Sequence, residues 1–227
     1  MNLSEILNKN RQSFRPMFAP DLNKENTYFL DFSVNNPALK QVNLTHTPSL
    51  HQYVFDLVRH NGKRYGYGGY MEDREVYRRS ALFAGGSDEA RSIHLGIDVW
   101  TEAGVAVHLP CDGVIHSFQN NDNFGDYGPT IIVEHRLDET QFFTLYGHLS
   151  LDSIEGLYAG MPLTAGQVLC RVGDAPHNGD WPPHLHFQVM ADMLGKKGDF
   201  PGVCFKHEME KFRNICPDPV IFFLQLY

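Results

Sequence analysis

From Arg91 onward the chain is a succession of short β-type segments, and this feature restricts its possible fold more than any other. Each segment is apolar or β-branched and is bounded by Gly, Pro, Asp or Asn; they include IHLGIDVW, VAVHLPC, GVIHSFQ, TIIVEHRL, QFFTLYGHL, VLCRVG and HLHFQVMA. Many short strands with such turns favour an all-β barrel or sandwich over alternating βαβ units. We therefore predict a mainly β fold.

Helical patterns flank this β-rich region. An amphipathic helix is predicted at LSEIL near the N terminus, and a second one runs from Thr47-Pro48 to a stop near Gly62. TYFLDFSV between them predicts a strand, and FKHEMEKFRN predicts a C-terminal helix. These signals divide the chain into a mixed α/β N-terminal extension (1–90), a β core (91–192) and a C-terminal helix and tail that pack on the core (193–227).

The segment that leads into the β core, GYGGYMEDREVYRRSALF at 66–83, has a composition of its own. It is rich in glycine and tyrosine at first and then becomes charged. Such a segment predicts an irregular connection rather than a long helix or strand. We expect its Tyr and Arg side chains to line a groove.

Composition excludes several classes of partner. The net charge is −8 with no basic stripe, which argues against a nucleic-acid partner. No apolar run approaches membrane-spanning length, and the N terminus lacks the apolar region of a secretory signal. The 4 cysteines have no CxxC spacing. We expect a cytoplasmic protein with reduced, structural cysteines and no membrane partner.

Two short motifs carry most of the chemical information, namely HLGID at 94–98 and HLHF at 184–187. Along an extended strand, residues two or four apart point to the same face. His94 and Asp98 would emerge together, and so would His184 and His186. Two His and one Asp around an exposed water are the donor set of a catalytic zinc site, and one histidine is left for acid–base work. Because ligand imidazoles must be neutral, metal binding should weaken in acid.

His148, in LYGHLS, is a further candidate because it lies where a strand ends and a turn would expose the ring. A lone histidine in a strand or loop is more often a surface or hydrogen-bonded core residue. The remaining histidines are interpreted in that way, and they are His46, His51, His60, His108, His116, His135, His177 and His207.

The motifs HLGID, YGHLS, AGQVLCRVG and HLHFQ resemble, in this order, those of the lysostaphin/LytM-type zinc metallopeptidases. The resemblance covers close to half the chain. It implies an antiparallel β core of the duplicated hybrid motif type, with a groove for a peptide or related amide substrate. It also implies that His94, Asp98 and His186 bind one Zn²⁺ and that His148 and His184 act in catalysis.

The chain also departs from the familiar members, which are exported and cut peptide cross-bridges in bacterial cell walls. FGDYGPTIIVEH lacks the asparagine of their GYGN motif, and GDAPHNGDWPP replaces their short loop before HxH. This longer loop, with Asp174, Asp180 and Trp181, is expected to wall the groove. The chain looks most like the LytM-type domain found in larger cytoplasmic proteins, which implies association with multidomain enzymes that carry kinase-like and aminotransferase domains.

Three functions are compatible with these motifs. The first is a zinc metallopeptidase. The second is a non-catalytic LytM-like groove that binds a partner or a cell-wall fragment. The third is a histidine phosphocarrier of the sugar phosphotransferase type, because HLGID alone suits either family. The HLHF pair favours the peptidase, since a phosphocarrier has no use for two histidines beside an Asp-containing metal site.

Overall fold

The computed structural model describes residues 2–79, 90–223 and 226. Within them the α-helices are α1 (Leu3–Asn10), α2 (Thr47–His60) and α3 (Met209–Ile215). The strands are β1 (Thr27–Phe29), β2 (Tyr65–Gly68), β3 (Ile93–His94), β4 (Ile97–Trp100), β5 (Ala106–His108), β6 (Gly113–Asn121), β7 (Gly128–Leu137), β8 (Thr140–Gly147), β9 (Pro162–Leu163), β10 (Val168–Arg171), β11 (His184–Met190) and β12 (Val203–Cys204). Short 3₁₀ helices connect several of them.

Most strands join one large sheet of eight strands, in the order β1-β2-β4-β11-β8-β7-β6-β9. Its neighbours are antiparallel except for the parallel pair β1 and β2. Two small antiparallel ladders, β5 with β10 and β3 with β12, lie outside it. The prediction of a mainly β, antiparallel fold is confirmed. The sheet has free edges at β1 and β9 and is not a closed barrel.

The central strand β11 explains where polar residues can gather inside this fold. Every residue from His184 to Met190 is buried, because β4 and β8 flank the strand on either side. Leu185, Phe187 and Val189 point to one face and join the main hydrophobic core. The alternation of a strand therefore places His184, His186 and Gln188 together on the other face.

The N-terminal extension completes the same sheet. Its strands β1 and β2 add to the edge at β4, where Gly68 pairs with Asp98. Helix α2 packs its apolar stripe, with Leu50, Val54 and Val58 buried, against β1 and β2. The helix ends before Gly62, whose φ of 65° suits a residue without a side chain.

One strand prediction is wrong in an informative way. IHLGIDVW is not a continuous strand, because it breaks at Leu95–Gly96 into β3 and β4. β3 pairs with β12, and Leu95 donates its N–H to the carbonyl of Gly202 at 2.9 Å, which draws this part of the chain out of the large sheet. A Cβ on Gly96 would lie 2.6 Å from Cε1 of His186, so a glycine is needed where the chain passes the imidazole.

Other predicted elements are found with shorter bounds. TYFLDFSV contributes only β1, and the C-terminal helix is the short α3. In the connection at 66–83, the structure contains β2 and a 3₁₀ helix at Glu75–Arg79, and 80–83 lie outside the described residues. The four cysteines are free and buried. None of the described helices is long and apolar enough to cross a membrane.

Candidate metal centre

The five residues singled out by their motifs lie together on the polar face of the large sheet. Asp98 of β4 is directly opposite His186 of β11, and His184 is two residues earlier on the same strand. His94 is the last residue of β3. His148 follows β8 in a left-handed conformation, with φ of 61°, that turns the chain at the strand end. Neighbouring strands and one turn thus assemble residues that are far apart in sequence.

Three ligand atoms converge in this cluster. Nε2 of His94 lies 3.0 Å from Nδ1 of His186, and Oδ1 of Asp98 lies 3.3 Å and 3.1 Å from these two nitrogens. His94, Asp98 and His186 are also the group among the described residues whose atoms are placed to hold a metal ion. The side chains are all but inaccessible, with 3% exposure or less for each residue.

Hydrogen bonds on the outer side of each imidazole set its tautomer. Nδ1 of His94 lies 3.0 Å from the carbonyl oxygen of Gly69, which can only accept, so this nitrogen carries the proton. Gln188 donates from its amide nitrogen to the Pro201 carbonyl at 3.1 Å. Its Oε1 therefore faces Nε2 of His186 at 3.0 Å and accepts a hydrogen bond from the Nε2–H group. Both histidines consequently present a lone pair to Asp98 and to each other.

This arrangement of acceptors fits a bound cation. Burial, with Arg74 nearby, lowers the pKa of His94 to about 4, which keeps that ring neutral at pH 7. Although burial acts in the opposite direction, the Arg74 guanidinium holds the pKa of Asp98 well below its usual value. Ligands about 2.0–2.1 Å from a tetrahedral zinc ion lie about 3.3 Å apart, close to the observed spacing. A nitrogen, nitrogen and oxygen donor set of this size suits zinc.

His148 and His184 form a second pair beside these three atoms. Their ring centroids are 4.2 Å apart, and Nε2 of His184 is 4.0 Å from Oδ1 of Asp98. Each donates its Nδ1 proton to a backbone carbonyl at 2.8 Å, that of Asn178 for His148 and that of Pro182 for His184. Burial lowers the pKa of His184 to about 4 and that of His148 well below its usual value. Both rings therefore offer a neutral Nε2 with a free lone pair.

A cavity of about 170 Å³ gives access to these residues. It exceeds the roughly 30 Å³ that one water occupies in the liquid, so it admits part of a substrate as well as water. The side chains that line it include several aromatic ones, namely Tyr77, Trp100, Tyr127 and Trp181. Among residues 2–79, 90–223 and 226, the hydroxyl of Tyr127 has no hydrogen-bond partner although it is buried.

The loop before β11 contributes to the cavity only in part as expected. Trp181 lines the cavity, whereas Asp174 and Asp180 are absent from the described lining. Two hydrogen bonds between Asn178 and Trp181 hold the loop. Nδ2 of Asn178 donates to the carbonyl of Trp181 at 2.9 Å, and Oδ1 of Asn178 accepts from the backbone N–H of Trp181 at 3.1 Å. The groove-lining role predicted for Tyr and Arg of the preceding connection is found for Tyr77 and Arg74.

Several site residues were not predicted from the sequence. Gln188 could have been, because HLHFQ places it in phase with His184 and His186 on a strand. Glu72 and Asn178 had no such signal, and neither had the bond from Arg74 to Asp98, since these contacts depend on how distant segments fold together. Among the described residues, the cavity lining includes none of the histidines that were interpreted as structural.

Comparison with known proteins agrees with the motif resemblance. Residues 92–198 match the model of Peptidase family M23, and this match supports a peptidase M23 domain of the LytM/lysostaphin type in that part of the chain. No curated protein matches the chain.

Several solved structures match part of the chain, each with a TM-score below 0.5. The catalytic domain of the antimicrobial peptidase lysostaphin from Staphylococcus simulans is 20% identical, with a TM-score of 0.41, and the match covers 72% of this chain and 97% of that one. A zinc containing peptidase from Vibrio cholerae is 28% identical, with a TM-score of 0.36 and coverage of 43% and 27%. Helicobacter pylori Csd3 is 30% identical, with a TM-score of 0.33 and coverage of 48% and 26%. The chain thus spans about a quarter of the last two proteins.

Proposed function

Because residues 92–198 match Peptidase family M23, we propose that this protein is a zinc-dependent metallohydrolase that cleaves a peptide or related amide bond. The observation that carries the proposal is the convergence of three proton-free acceptor atoms, on His94, Asp98 and His186, beside two further neutral histidines. Three ligands leave a tetrahedral ion one open position, as in catalytic zinc sites.

The metal's part in this chemistry is limited and well defined. A zinc ion held by His94, Asp98 and His186 would lower the pKa of a bound water toward about 7 and would polarise the scissile carbonyl. The protein supplies the rest, namely proton transfer, orientation and the exclusion of bulk water from a site whose five side chains are nearly inaccessible.

Proton transfer is assigned to His148 and His184. Their Nδ1 protons are committed to backbone carbonyls, so each ring can accept a proton only at Nε2. One of these histidines accepts a proton from the attacking water while the water oxygen forms a bond to the carbonyl carbon. The resulting imidazolium then donates that proton to the amide nitrogen as the carbon–nitrogen bond breaks.

The Nδ1–H tautomers of His148 and His184 determine which groups can stabilise the developing oxyanion. A neutral ring of His148 or His184 has no N–H on the side of the cavity, so it cannot donate until it has been protonated. The hydroxyl of Tyr127 is a donor from the start, and its ring lies next to those of His148 and His186, with centroids 5.6 Å and 5.1 Å apart. We assign Tyr127 to hydrogen bonding with the substrate carbonyl as it becomes tetrahedral.

The two alternative functions are a groove that only binds a partner and a histidine phosphocarrier, and the geometry of the site bears on both. A groove that only binds a partner would not need the paired neutral bases, because they contribute nothing to holding a metal. A phosphocarrier would need an accessible His94, yet this residue is fully buried and its Nε2 faces the carboxylate of Asp98, which would repel a phosphoryl group. The geometry therefore favours hydrolysis over both.

The test is a screen of the zinc-loaded protein against a library of peptides and amides, read by mass spectrometry. The expected result is cleavage by the unsubstituted protein and loss of cleavage in His148→Ala. His135→Ala is the matched control, because His135 is a buried histidine on β7 that bonds Thr144 and the Asp112 carbonyl. Zinc-loaded protein that binds library members but never cleaves them would support the non-catalytic groove instead.

A further inference from the structure

Arg74 is a buried cation that reaches the metal centre from outside the matched domain. It precedes the matched segment 92–198, and its side chain is only 2% exposed. Nη1 donates to Oδ2 of Asp98 at 2.5 Å, and Nε donates to Oε2 of Glu72 at 2.6 Å. Burial of a charged group is unfavourable unless partners of opposite charge compensate it. Arg74 has two, so its position beneath the metal-site carboxylate is strongly determined.

The hydrogen bond from Arg74 gives the two oxygens of Asp98 different partners. Oδ2 is held by the guanidinium, whereas Oδ1 is the oxygen that lies 3.1 Å from Nδ1 of His186 and 3.3 Å from Nε2 of His94. A carboxylate held in this way presents one oxygen rather than two to an ion. Arg74 therefore sets both the orientation of this ligand and the number of atoms that it contributes.

The same segment also fixes His94. The carbonyl of Gly69 accepts the Nδ1 proton of His94 at 3.0 Å. The backbone of His94 is held on both sides, because its N–H donates to the carbonyl of Glu72 at 2.9 Å and its carbonyl accepts from Met71 at 2.8 Å. Two of the three proposed ligands are thus positioned by a few consecutive residues of the N-terminal extension.

Glu72 balances the charge of this arrangement. Its Oε2 pairs with Arg74, and its Oε1 accepts the backbone N–H of Phe32 at 3.1 Å. Without Glu72, the positive guanidinium would stand unneutralised beside a dication and would weaken its binding. With Glu72, the three groups Glu72, Arg74 and Asp98 carry a net charge of minus one, which attracts a metal ion.

We propose that Gly69–Arg74 is the outer shell of the metal centre and that Arg74 is a positioning residue which keeps Asp98 a one-oxygen ligand. This inference rests on the proposed zinc site. It makes the N-terminal extension part of the site, although the family match begins only at residue 92.

The experiment compares metal binding by the unsubstituted 227-residue chain with that of Arg74→Gln and Arg74→Lys. Zinc affinity is measured by competition with a chromophoric chelator, and cobalt(II) is used as a spectroscopic probe of coordination. Loss of an outer-shell partner typically weakens metal binding by about 10–100-fold, and we expect a change of this size for Arg74→Gln. Arg74→Lys should recover part of it, because the ammonium keeps the charge but lacks the rigid planar fork with which the guanidinium reaches both Asp98 and Glu72.

The cobalt spectrum separates positioning from a general loss of stability. We expect the intense visible absorption of four-coordinate cobalt in the unsubstituted protein. It should weaken in Arg74→Gln, because a freed Asp98 can offer both oxygens and raise the coordination number. His135→Ala serves as control, since it breaks buried hydrogen bonds on β7 without touching the metal centre. It should lower the melting temperature and leave zinc affinity and the cobalt spectrum unchanged.

A second variant keeps the test decisive if Arg74→Gln does not fold. Glu72→Gln leaves Arg74 in place but removes the compensating charge, and it should weaken zinc binding several-fold. The inference would be overturned if the variants that fold had the same zinc affinity and the same cobalt spectrum as the unsubstituted protein. The proposed zinc site would not be affected by that result. Failure of the unsubstituted protein to bind zinc would instead overturn the proposed function, and this inference with it.

Discussion

Nε2 of His94 lies 3.0 Å from Nδ1 of His186, and both nitrogens bear lone pairs. The proton on the far side of each ring is committed, to the Gly69 carbonyl in one case and to Gln188 in the other. Two acceptors at this distance repel each other unless a cation lies between them, and Asp98 adds a third acceptor. The protein therefore maintains, inside its core, an arrangement that is unfavourable until a metal ion binds.

Loss of either histidine of the catalytic pair should abolish turnover without loss of metal. His148→Ala and His184→Ala remove a base but none of the three proposed ligands. We expect kcat to fall by about 100-fold or more in each, the usual contribution of general acid–base catalysis, while the zinc content stays unchanged. Steady-state kinetics and metal analysis on the same samples check this. Full activity in one variant would remove that histidine from the mechanism.

Tyr127→Phe should affect stability and activity in opposite directions. The Tyr127 hydroxyl is buried and has no hydrogen-bond partner in the described part of the chain, so its removal should leave the free energy of unfolding unchanged or raise it by about 1 kcal/mol. Turnover should fall, because the donor assigned to the substrate carbonyl is lost.

Tyr146→Phe is the matched control for this substitution. The hydroxyl of Tyr146 is buried as well, but it accepts a hydrogen bond from Thr144 at 3.2 Å. We expect this variant to lose about 1 kcal/mol of stability and to keep its activity, since it lies outside the cavity lining. Urea unfolding and kinetics on both variants test the pair. Equal activity of Tyr127→Phe and the unsubstituted protein would rule out the assignment.

The metal-free protein should lose stability in mild acid. Burial lowers the pKa of His135 to about 4, from about 6.5 in an unfolded chain. Between these values the unfolded state binds more protons than the folded state, so stability rises with pH in this window and levels off above about pH 6.5. Protonation of His135 in the unfolded state alone would lower the free energy of unfolding by on the order of 3 kcal/mol at about pH 4, relative to neutral pH.

His184 and His94 should act in the same direction in the metal-free protein, because burial lowers the pKa of each to about 4. Urea unfolding at about pH 7 and about pH 5 measures the combined effect. A free energy of unfolding that does not fall between these conditions would show that the histidines titrate normally in the folded state.

The sequence was sufficient to predict the β-rich fold and the residues that gather at the site. Alternation along HLHFQ places His184 and His186 on one face, whatever the neighbouring strands are, because the period of a strand is a local property. The turn at His148 was likewise expected from its position at the end of an apolar segment. What joins these pieces, the antiparallel register of β4, β11 and β8, could be expected only from the family resemblance.

The remaining features depend on contacts between distant segments. His94 and Asp98 meet although their strand is broken, because Gly96 passes the His186 imidazole at a distance that no side chain would permit. The pairing of Arg74 with Asp98 requires the extension to add strands beside β4, which no local pattern encodes. Outer-shell residues are therefore harder to predict than the ligands they support.

Zinc stoichiometry tests the central claim most directly. The unsubstituted 227-residue chain, purified without added metal and then titrated with zinc, should bind about one equivalent per chain. His186→Ala should bind none at the same concentration. The account predicts both results from the three acceptor atoms on His94, Asp98 and His186. Absence of bound zinc in the unsubstituted protein after reconstitution, or full retention of zinc by His186→Ala, would contradict it.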